Sequence, residues 1–291
     1  MRRLIFGTQS SLLVTRDYAM NDSLTETAVS SQLTTKWIGH NYHYYPSIGS
    51  TNEELKNRVA EESNAPIPEG TVILTEFQSQ GKGRLQRKWE APPQSSLLFS
   101  TLFRPNWSGE QANWLTMIAA LAVVEAIEIQ TNLQPSIKWP NDIVLQQNGM
   151  WHKVCGLLLE GNVDGNGRLQ TAVMGIGINV NIPTSNLPEA VTPPTSLQIA
   201  TGNSVPRLPL LLTILQRLED LYETAVAGQS PHEKWNGRLI THNQSVTITH
   251  LNTEQKIHGI AIGTTPNGAL IIRDEKQKQH IITAGDVTLR Q

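Results

Sequence analysis

Between positions 78 and 89 the chain reads Gln-Ser-Gln-Gly-Lys-Gly-Arg-Leu-Gln-Arg-Lys-Trp, which sets Lys82, Arg84, Arg87 and Lys88 around Gly81 and Gly83 and closes on Trp89. Glycines let backbone N–H groups approach a ligand, and ammonium and guanidinium groups hold anions through charge-assisted hydrogen bonds. The chemistry this suits is the clamping of a phosphorylated or adenylated small molecule, with Trp89 as a flat apolar surface. A solvated basic turn has the same composition. Ser50, Thr51 and Asn52 stand where a helix is expected to begin, and hydroxyl and amide groups at a helix N-terminus can bind a polar ligand group or simply cap the helix. Lys138, Asn141 and Asp142 flank Trp139 and Pro140, and polar residues beside a break in an apolar run need partners, a ligand among them. Gly175 and Gly177 alternate along an apolar run, so both hydrogens face one side of a strand, leaving room for a packed helix or for a flat ligand ring, the second being favoured.

These residues need a sheet to hold them. Apolar runs over residues 71–77 and 95–103 read as central strands, the first feeding the cationic loop. Residues 40–45 read as a further strand. Thr51 with Glu54 forms the pattern of a capping box, predicting a helix from Asn52 to about residue 62. Residues 109–131 carry a long apolar helix. Residues 137–145 read as one strand broken at Pro140 and resumed at Ile143, with a bulge that re-aims Lys138, Asn141 and Asp142. Residues 151–160 and 169–180 pair through a turn at 164–167, and a Pro-rich loop, 183–194, has the length of a lid. Leu208, Leu211, Leu212, Leu215, Leu218, Tyr222 and Ala225 lie on one helical stripe. Short strands then follow at 245–249, 256–263, 269–273 and 280–283, a small β-barrel-like module beginning near Arg238.

The 291 residues carry a formal net charge of −2, so there is no global field for nucleic acid and the cationic loop is a local feature. The single cysteine, Cys155, excludes an intramolecular disulfide and a four-cysteine zinc site, fits a reducing cytoplasm, and sits in an apolar run where a packing role is expected. The histidines show no metal-ligand spacing. The apolar window 115–124 is about half a membrane span and reads as a core helix. Met1-Arg2-Arg3-Leu4-Ile5-Phe6 hints at a secretion signal, but Gly7 to Ser10 interrupt it. Residues 17–35 are Ser/Thr/Asn-rich and are expected to be a loosely ordered extension without a helix-turn-helix pattern.

Taken in order, Ser50-Thr51-Asn52, Gly81-x-Gly83-Arg84-x-x-Arg87-x-Trp89, Lys138-Trp139-Pro140-Asn141-Asp142, Lys153-x-x-Gly156-Leu157-Leu158 and Gly175-Ile176-Gly177-Ile178-Asn179-Val180 resemble the motif set of biotin protein ligases. The closing Gly268-Ala269-Leu270 and Gly285-Asp286-Val287-Thr288-Leu289-Arg290 resemble the SH3-like C-terminal module of that family. The resemblance implies an α+β fold. Its catalytic domain, like a class II aminoacyl-tRNA synthetase, would span residues 37–237 with a mixed sheet flanked by helices. A small SH3-like barrel would occupy 238–291, after an N-terminal extension, 1–36.

The implied reaction is two-step: biotin and ATP, with Mg2+, give biotinyl-5′-adenylate and pyrophosphate, and the acyl group then passes to a lysine of a carboxylase's biotin carrier domain. The implied biotin site comprises Ser50, Thr51, Asn52, Gln78, Gly81, Lys82, Gly83, Arg84, Lys153 and Gly156. Arg84, Arg87, Trp89, Asn141, Lys153 and Asn179 would bind ATP or the adenylate, with Trp89 against the adenine. Lys153, Arg84 and Asp142 would carry the chemistry, Asp142 as a base or orienting group toward the acceptor lysine. No protein metal cage is implied, and no DNA or membrane partner. Members of the family can dimerise through a sheet edge. The sequence departs from the pattern at Gln86, where a third glycine is usual, and in lacking the helix-turn-helix of bifunctional repressors. The rival readings are a lipoate–protein ligase of the same fold and a non-catalytic biotin or nucleotide sensor.

Overall fold

The structure is a computed structural model and describes residues 22–61, 66–249 and 256–289. Its elements, in chain order, are α1 (Glu26–Ser30), β1 (Tyr42–Tyr45), α2 (Thr51–Ala60), β2 (Val72–Thr75), β3 (Ser96–Phe103), α3 (Asn113–Thr131), β4 (Ser136–Lys138), β5 (Asp142–Gln147), β6 (Met150–Val163), β7 (Leu169–Asn179), α4 (Leu197–Thr201), α5 (Arg207–Val226), α6 (His232–Asn236), β8 (Ser245–Thr249), β9 (Lys256–Thr264), β10 (Leu270–Arg273), β11 (Gln279–Ile282) and β12 (Asp286–Leu289).

Seven strands form a mixed sheet in the order β1-β2-β3-β7-β6-β5-β4, with β1 and β2 parallel and the other neighbours antiparallel. Strand periodicity divides the side chains between two faces. Val72, Leu74, Leu97, Phe99 and Phe103 join the main core with α3 and α5, whereas Ile73, Leu102 and Val173 pack with Leu55 of α2 on the other face. Ser100 shares the Leu102 face, so the α2 side of the sheet carries the polar floor described below. With its 3-10 lead-in, α3 is long and apolar enough to cross a membrane; in this fold Leu115, Ile118, Leu121, Val123 and Ile127 are buried in the core. The remaining strands form a five-stranded antiparallel sheet, β11-β10-β9-β8-β12. It touches the larger unit through Trp139 between β4 and β5, whose indole N–H donates to the Gly268 carbonyl at 2.8 Å, and through Asn113 of α3, which donates to the Asn267 carbonyl at 3.2 Å.

Three expectations change. Residues 137–145 are not one interrupted strand: β4 and β5 run antiparallel, and Trp139 to Asn141 make the reversal between them. The capping box at Thr51 does not form; Ser50 is the N-cap residue, and the Thr51 N–H is taken by the Gln78 side chain instead. The segment 22–35 is packed, not loose: Leu24 and Val29 are buried, and the Tyr42 hydroxyl donates to the Leu24 carbonyl. Two well-placed apolar anchors contribute to this where periodicity is absent. The part of the extension before residue 22 lies outside the described residues. Helices α1, α4 and α6, each of 5 residues, are too short to show a helical period.

Candidate active site

The cationic stretch leaves the end of β2 and turns back on itself as a small hairpin. Lys82 pairs with Lys88, the Gly83 N–H donates to the Arg87 carbonyl at 2.8 Å, and Trp89 N–H donates to the Gly81 carbonyl at 3.0 Å. A Cβ on Gly81 would lie 2.2 Å from that Trp89 carbonyl, so glycine there permits the hairpin to close. Leu85 and Gln86 form the tip, both with positive φ (58° and 59°), the arrangement of a two-residue type I′ turn. Gln86 therefore occupies a conformation that glycine adopts without steric penalty.

The hairpin lies over a cleft of about 510 Å³. Of the residues expected at the site, Ser50, Thr51, Asn52, Gln78, Lys82, Gly83, Arg84, Arg87, Trp89, Asn141, Asp142, Lys153, Gly156 and Asn179 all line it. Gly81 stands behind it, shaping the loop. At one end Gln78 accepts from the backbone N–H and hydroxyl of Thr51, at 2.8 and 3.2 Å. Ser100 Oγ lies 2.7 Å from Thr51 Oγ1 and 2.6 Å from Asn52 Oδ1, so the buried start of α2 is fixed to β3.

Lys153 reaches the cleft because of a bulge. Ile143 pairs with Cys155 but Val144 with Lys153, so Val154 is an extra residue in β6. Without it, residues 153 and 156 would face opposite sides of the sheet. With it, the Lys153 side chain lies above Gly156, where a Cβ would be 3.2 Å from Nζ. The Lys153 ammonium is 2.7 Å from Asp142 Oδ1 and 5.3 Å from the Trp89 ring centre. The bulge expected beside Pro140 thus lies one strand over. Beyond it, the Lys153 backbone bonds to Pro193 and Thr195, which tie the Pro-rich loop to the sheet.

Arg84 spans the cleft to Asn141 Oδ1 at 3.0 Å and to the Gly285 carbonyl at 3.2 Å; Asn141 in turn donates to the Leu157 carbonyl at 2.6 Å. Gly285 and the lining residue Val287 bring the C-terminal sheet into the site, a contribution that sequence motifs alone did not assign. Lys138 also lines the cleft and donates to Thr192 of the Pro-rich loop at 2.7 Å. The glycine floor differs from expectation. At Gly175 the room is taken by the Asn52 amide of α2, 2.3 Å from where a Cβ would be, so close helix packing and not a ligand ring explains it. At Gly177 and Gly156 the neighbour is the Trp89 indole, 2.7 Å from a Cβ at each position. Among the described residues no group of three His, Cys, Asp or Glu offers a metal cage.

Fixed cations over a glycine-lined floor, with a hydrogen-bonding end at Thr51 and Gln78, make this the site of an enzyme that handles an anionic, phosphate-bearing substrate. The biotin/lipoate A/B protein ligase family matches residues 44–179, and the biotin protein ligase C terminal domain matches residues 241–290. The bifunctional ligase/repressor BirA of Bacillus spizizenii is 30% identical over 264 residues, covering 90% of this chain and 78% of that protein. The biotin–[acetyl-CoA-carboxylase] ligase of Paracoccus denitrificans is 33% identical over 223 residues, 74% of this chain and 88% of its own. The solved structure of the biotin protein ligase from Aquifex aeolicus in complex with biotin and ATP has 29% identity and a TM-score of 0.67, covering 87% of this chain and 99% of that one. The chain belongs to the biotin/lipoate A/B protein ligase family, and its two-part match places it among the biotin protein ligases.

Proposed function

We propose that this enzyme activates biotin with ATP and passes the biotinyl group to a lysine of a carboxylase's biotin carrier domain, in the cytoplasm. The observation that carries the reading is the convergence of Lys153 of β6 and Arg84 of the hairpin on one cleft, where they meet the adjacent Asp142 and Asn141. In the first step a biotin carboxylate oxygen attacks the α-phosphorus and the bond to the β-phosphate breaks, releasing pyrophosphate. Two anions must meet, so Lys153 and Arg84 act by holding charge where it builds up in the transition state. Thr51 and Gln78 hold the ureido end of biotin, with Ser50 and Asn52 shaping that end. Trp89 covers the bicyclic ring or the adenine, Arg87 and Lys82 lie by the phosphates, and Asn179 lies near the adenylate.

Mg2+ would come with ATP on phosphate oxygens, since the carboxylate of Asp142 is engaged by Lys153. It would shield phosphate charge. In the second step the acceptor amine loses a proton as it attacks the acyl carbon, and AMP leaves; Asp142 would take that proton or orient the amine. The hairpin and the Pro-rich loop keep water from the mixed anhydride meanwhile. In this reading the chemistry belongs to residues 37–237 with the module 238–291, and residues 22–36 pack against that unit. No role in transcription is part of the proposal.

The test is isotope exchange of pyrophosphate into ATP and labelling of a carrier domain, with biotin and with lipoate. Exchange that depends on biotin, followed by labelling, is expected. Exchange dependent on lipoate alone would make it a lipoate ligase, and binding without exchange a sensor. Lys153→Ala and Arg84→Ala are each expected to slow adenylate formation about a hundred- to a thousandfold, the usual effect of removing one charge-stabilising contact. Near-normal rates in both would defeat the site assignment.

A further inference from the structure

A chain of polar groups runs from the hairpin to the cleft floor, and three of its members, Glu53, Lys56 and Glu160, have no task in the reaction. Lys82 Nζ lies 2.7 Å from Glu53 Oε1, and the same oxygen lies 2.6 Å from Lys56 Nζ. Lys56 is also 2.6 Å from Glu160 Oε1. The other Glu160 oxygen accepts from Asn52 Nδ2 at 2.8 Å, and Asn52 Oδ1 accepts from Ser100 at 2.6 Å. Glu53 is thus shared by two ammonium groups on the first turn of α2, and these two contacts hold its carboxyl below the ordinary range, the Lys56 bond contributing most. Lys56 is in turn fixed by Glu160 of β6, so the Glu53 carboxylate is a prepared anchor and not a solvated side chain that happens to be near a lysine.

The geometry of the hairpin shows what the anchor does. Backbone bonds close it on itself, from Gly83 to Arg87 and from Trp89 to Gly81, and just before it Ser79 and Gln80 donate to the Ile48 and Gly49 carbonyls at 3.0 and 2.8 Å. It crosses the cleft and reaches the far wall through Arg84, on Asn141 and Gly285. On the near wall the backbone bonds of Ser79 and Gln80 hinge the base of the stretch, and the ion pair from Lys82 to Glu53 extends the hold past that hinge to α2. A cover held at one wall alone can swing away. A cover held at both stays over the ligand.

We propose that Glu53 is a positioning residue that moors the hairpin to α2 through Lys82, and that retention of the acyl-adenylate and affinity for biotin depend on this mooring. The inference rests on the proposed reaction for its kinetic form, but the mooring itself can be measured without any substrate. The pair is partly exposed, with side-chain exposures of 45% and 34%. Pairs of that kind contribute up to about 1 kcal/mol, so effects of about two- to fivefold are expected.

The experiment compares wild type, Glu53→Gln, Lys82→Gln and the double variant. Without acceptor, Glu53→Gln should release free biotinyl-adenylate about two- to fivefold faster and raise KM for biotin by a similar factor, with kcat of pyrophosphate exchange within about twofold. Lys82→Gln should speed release and raise KM by at least as much, and because Lys82 also lies by the phosphates its kcat is not held to that limit. The double variant should be no worse than the worse single, because each change breaks one link. Tryptic cleavage within residues 82–88 of the ligand-free protein should also be faster in Glu53→Gln. Effects that multiply in the double variant, or wild-type rates of release and of cleavage in Glu53→Gln, would overturn the proposal. If the wild type forms no biotinyl-adenylate, the reading of the reaction fails, and the cleavage comparison alone decides the mooring.

Discussion

Cys155 stands two residues from Lys153, but the intervening bulge sends their side chains to different environments, the thiol into the core and the ammonium into the cleft. Burial pushes the thiol far above its ordinary value of 9.0, Asp142 adding to the shift and Lys153 opposing it. A thiol held protonated is a poor nucleophile, so an acyl-cysteine route has no support here. A thiol reagent at pH 8 is expected to leave the native protein unmodified and to label one equivalent in guanidinium. Rapid native labelling would contradict the burial. The shift also has a pH consequence. Because the folded thiol keeps its proton where the unfolded one loses it, the stability it confers is complete below about pH 9 and declines above it by about 1.4 kcal/mol per pH unit. Cys155→Ala should remove that component of the alkaline loss. Whether Cys155 is buried was legible from its apolar neighbours. That Lys153 shares a face with Gly156 was not, because a spacing of three contradicts strand alternation unless a bulge intervenes, and nothing in the residue types of Val154 announces one.

The hairpin over the cleft shows what an element adds to its residues. Its glycines and cations were readable as an anion-binding loop, but the pairing of Lys82 with Lys88 and the two positive φ angles at its tip are products of closure. Left-handed backbone costs a non-glycine residue about 1–2 kcal/mol, whereas glycine costs an open, flexible segment about 0.5–1 kcal/mol in entropy. The first effect is larger at Gln86, so Gln86→Gly should favour the closed hairpin by up to about 1 kcal/mol. It is expected to tighten biotin binding several-fold in calorimetry and to slow tryptic cleavage of the free enzyme between residues 82 and 88; weaker binding would mean that the glutamine side chain itself contributes contacts. The same contrast between composition and closure explains Gly175. Its alternation with Gly177 was visible, but which neighbour fills the room depends on the register of α2 against β7, a contact across more than a hundred residues.

The molecule is held together around the site by one buried cation that no motif marks. Arg207, at the start of α5 and 4% exposed, pairs with Glu76 at the end of β2, donates to the Ser96 carbonyl of β3 at 3.2 Å, and reaches Asp22 through Nε at 3.1 Å. It thereby joins the segment before α1 to the strand that launches the hairpin, since Gln78 follows Glu76 by two residues. Burial opposes the charge of Arg207, but the hydrogen bonds and fields of Glu76 and Asp22 outweigh it and hold the guanidinium more firmly charged than usual. Together with the buried Leu24 and Val29, this attachment to a cation about 185 positions away orders residues 22–35, which are unpromising by composition. Breaking such a pair leaves a carboxylate buried without its partner, which costs about 3–5 kcal/mol, whereas replacing both members by apolar residues of similar size is close to neutral. Arg207→Met is therefore expected to lower unfolding free energy by about 3–5 kcal/mol in denaturant titration, and Arg207→Met combined with Glu76→Leu to recover most of it. A single-variant loss below about 1 kcal/mol, or a double variant worse than the single, would show that the pair does not bind these elements together.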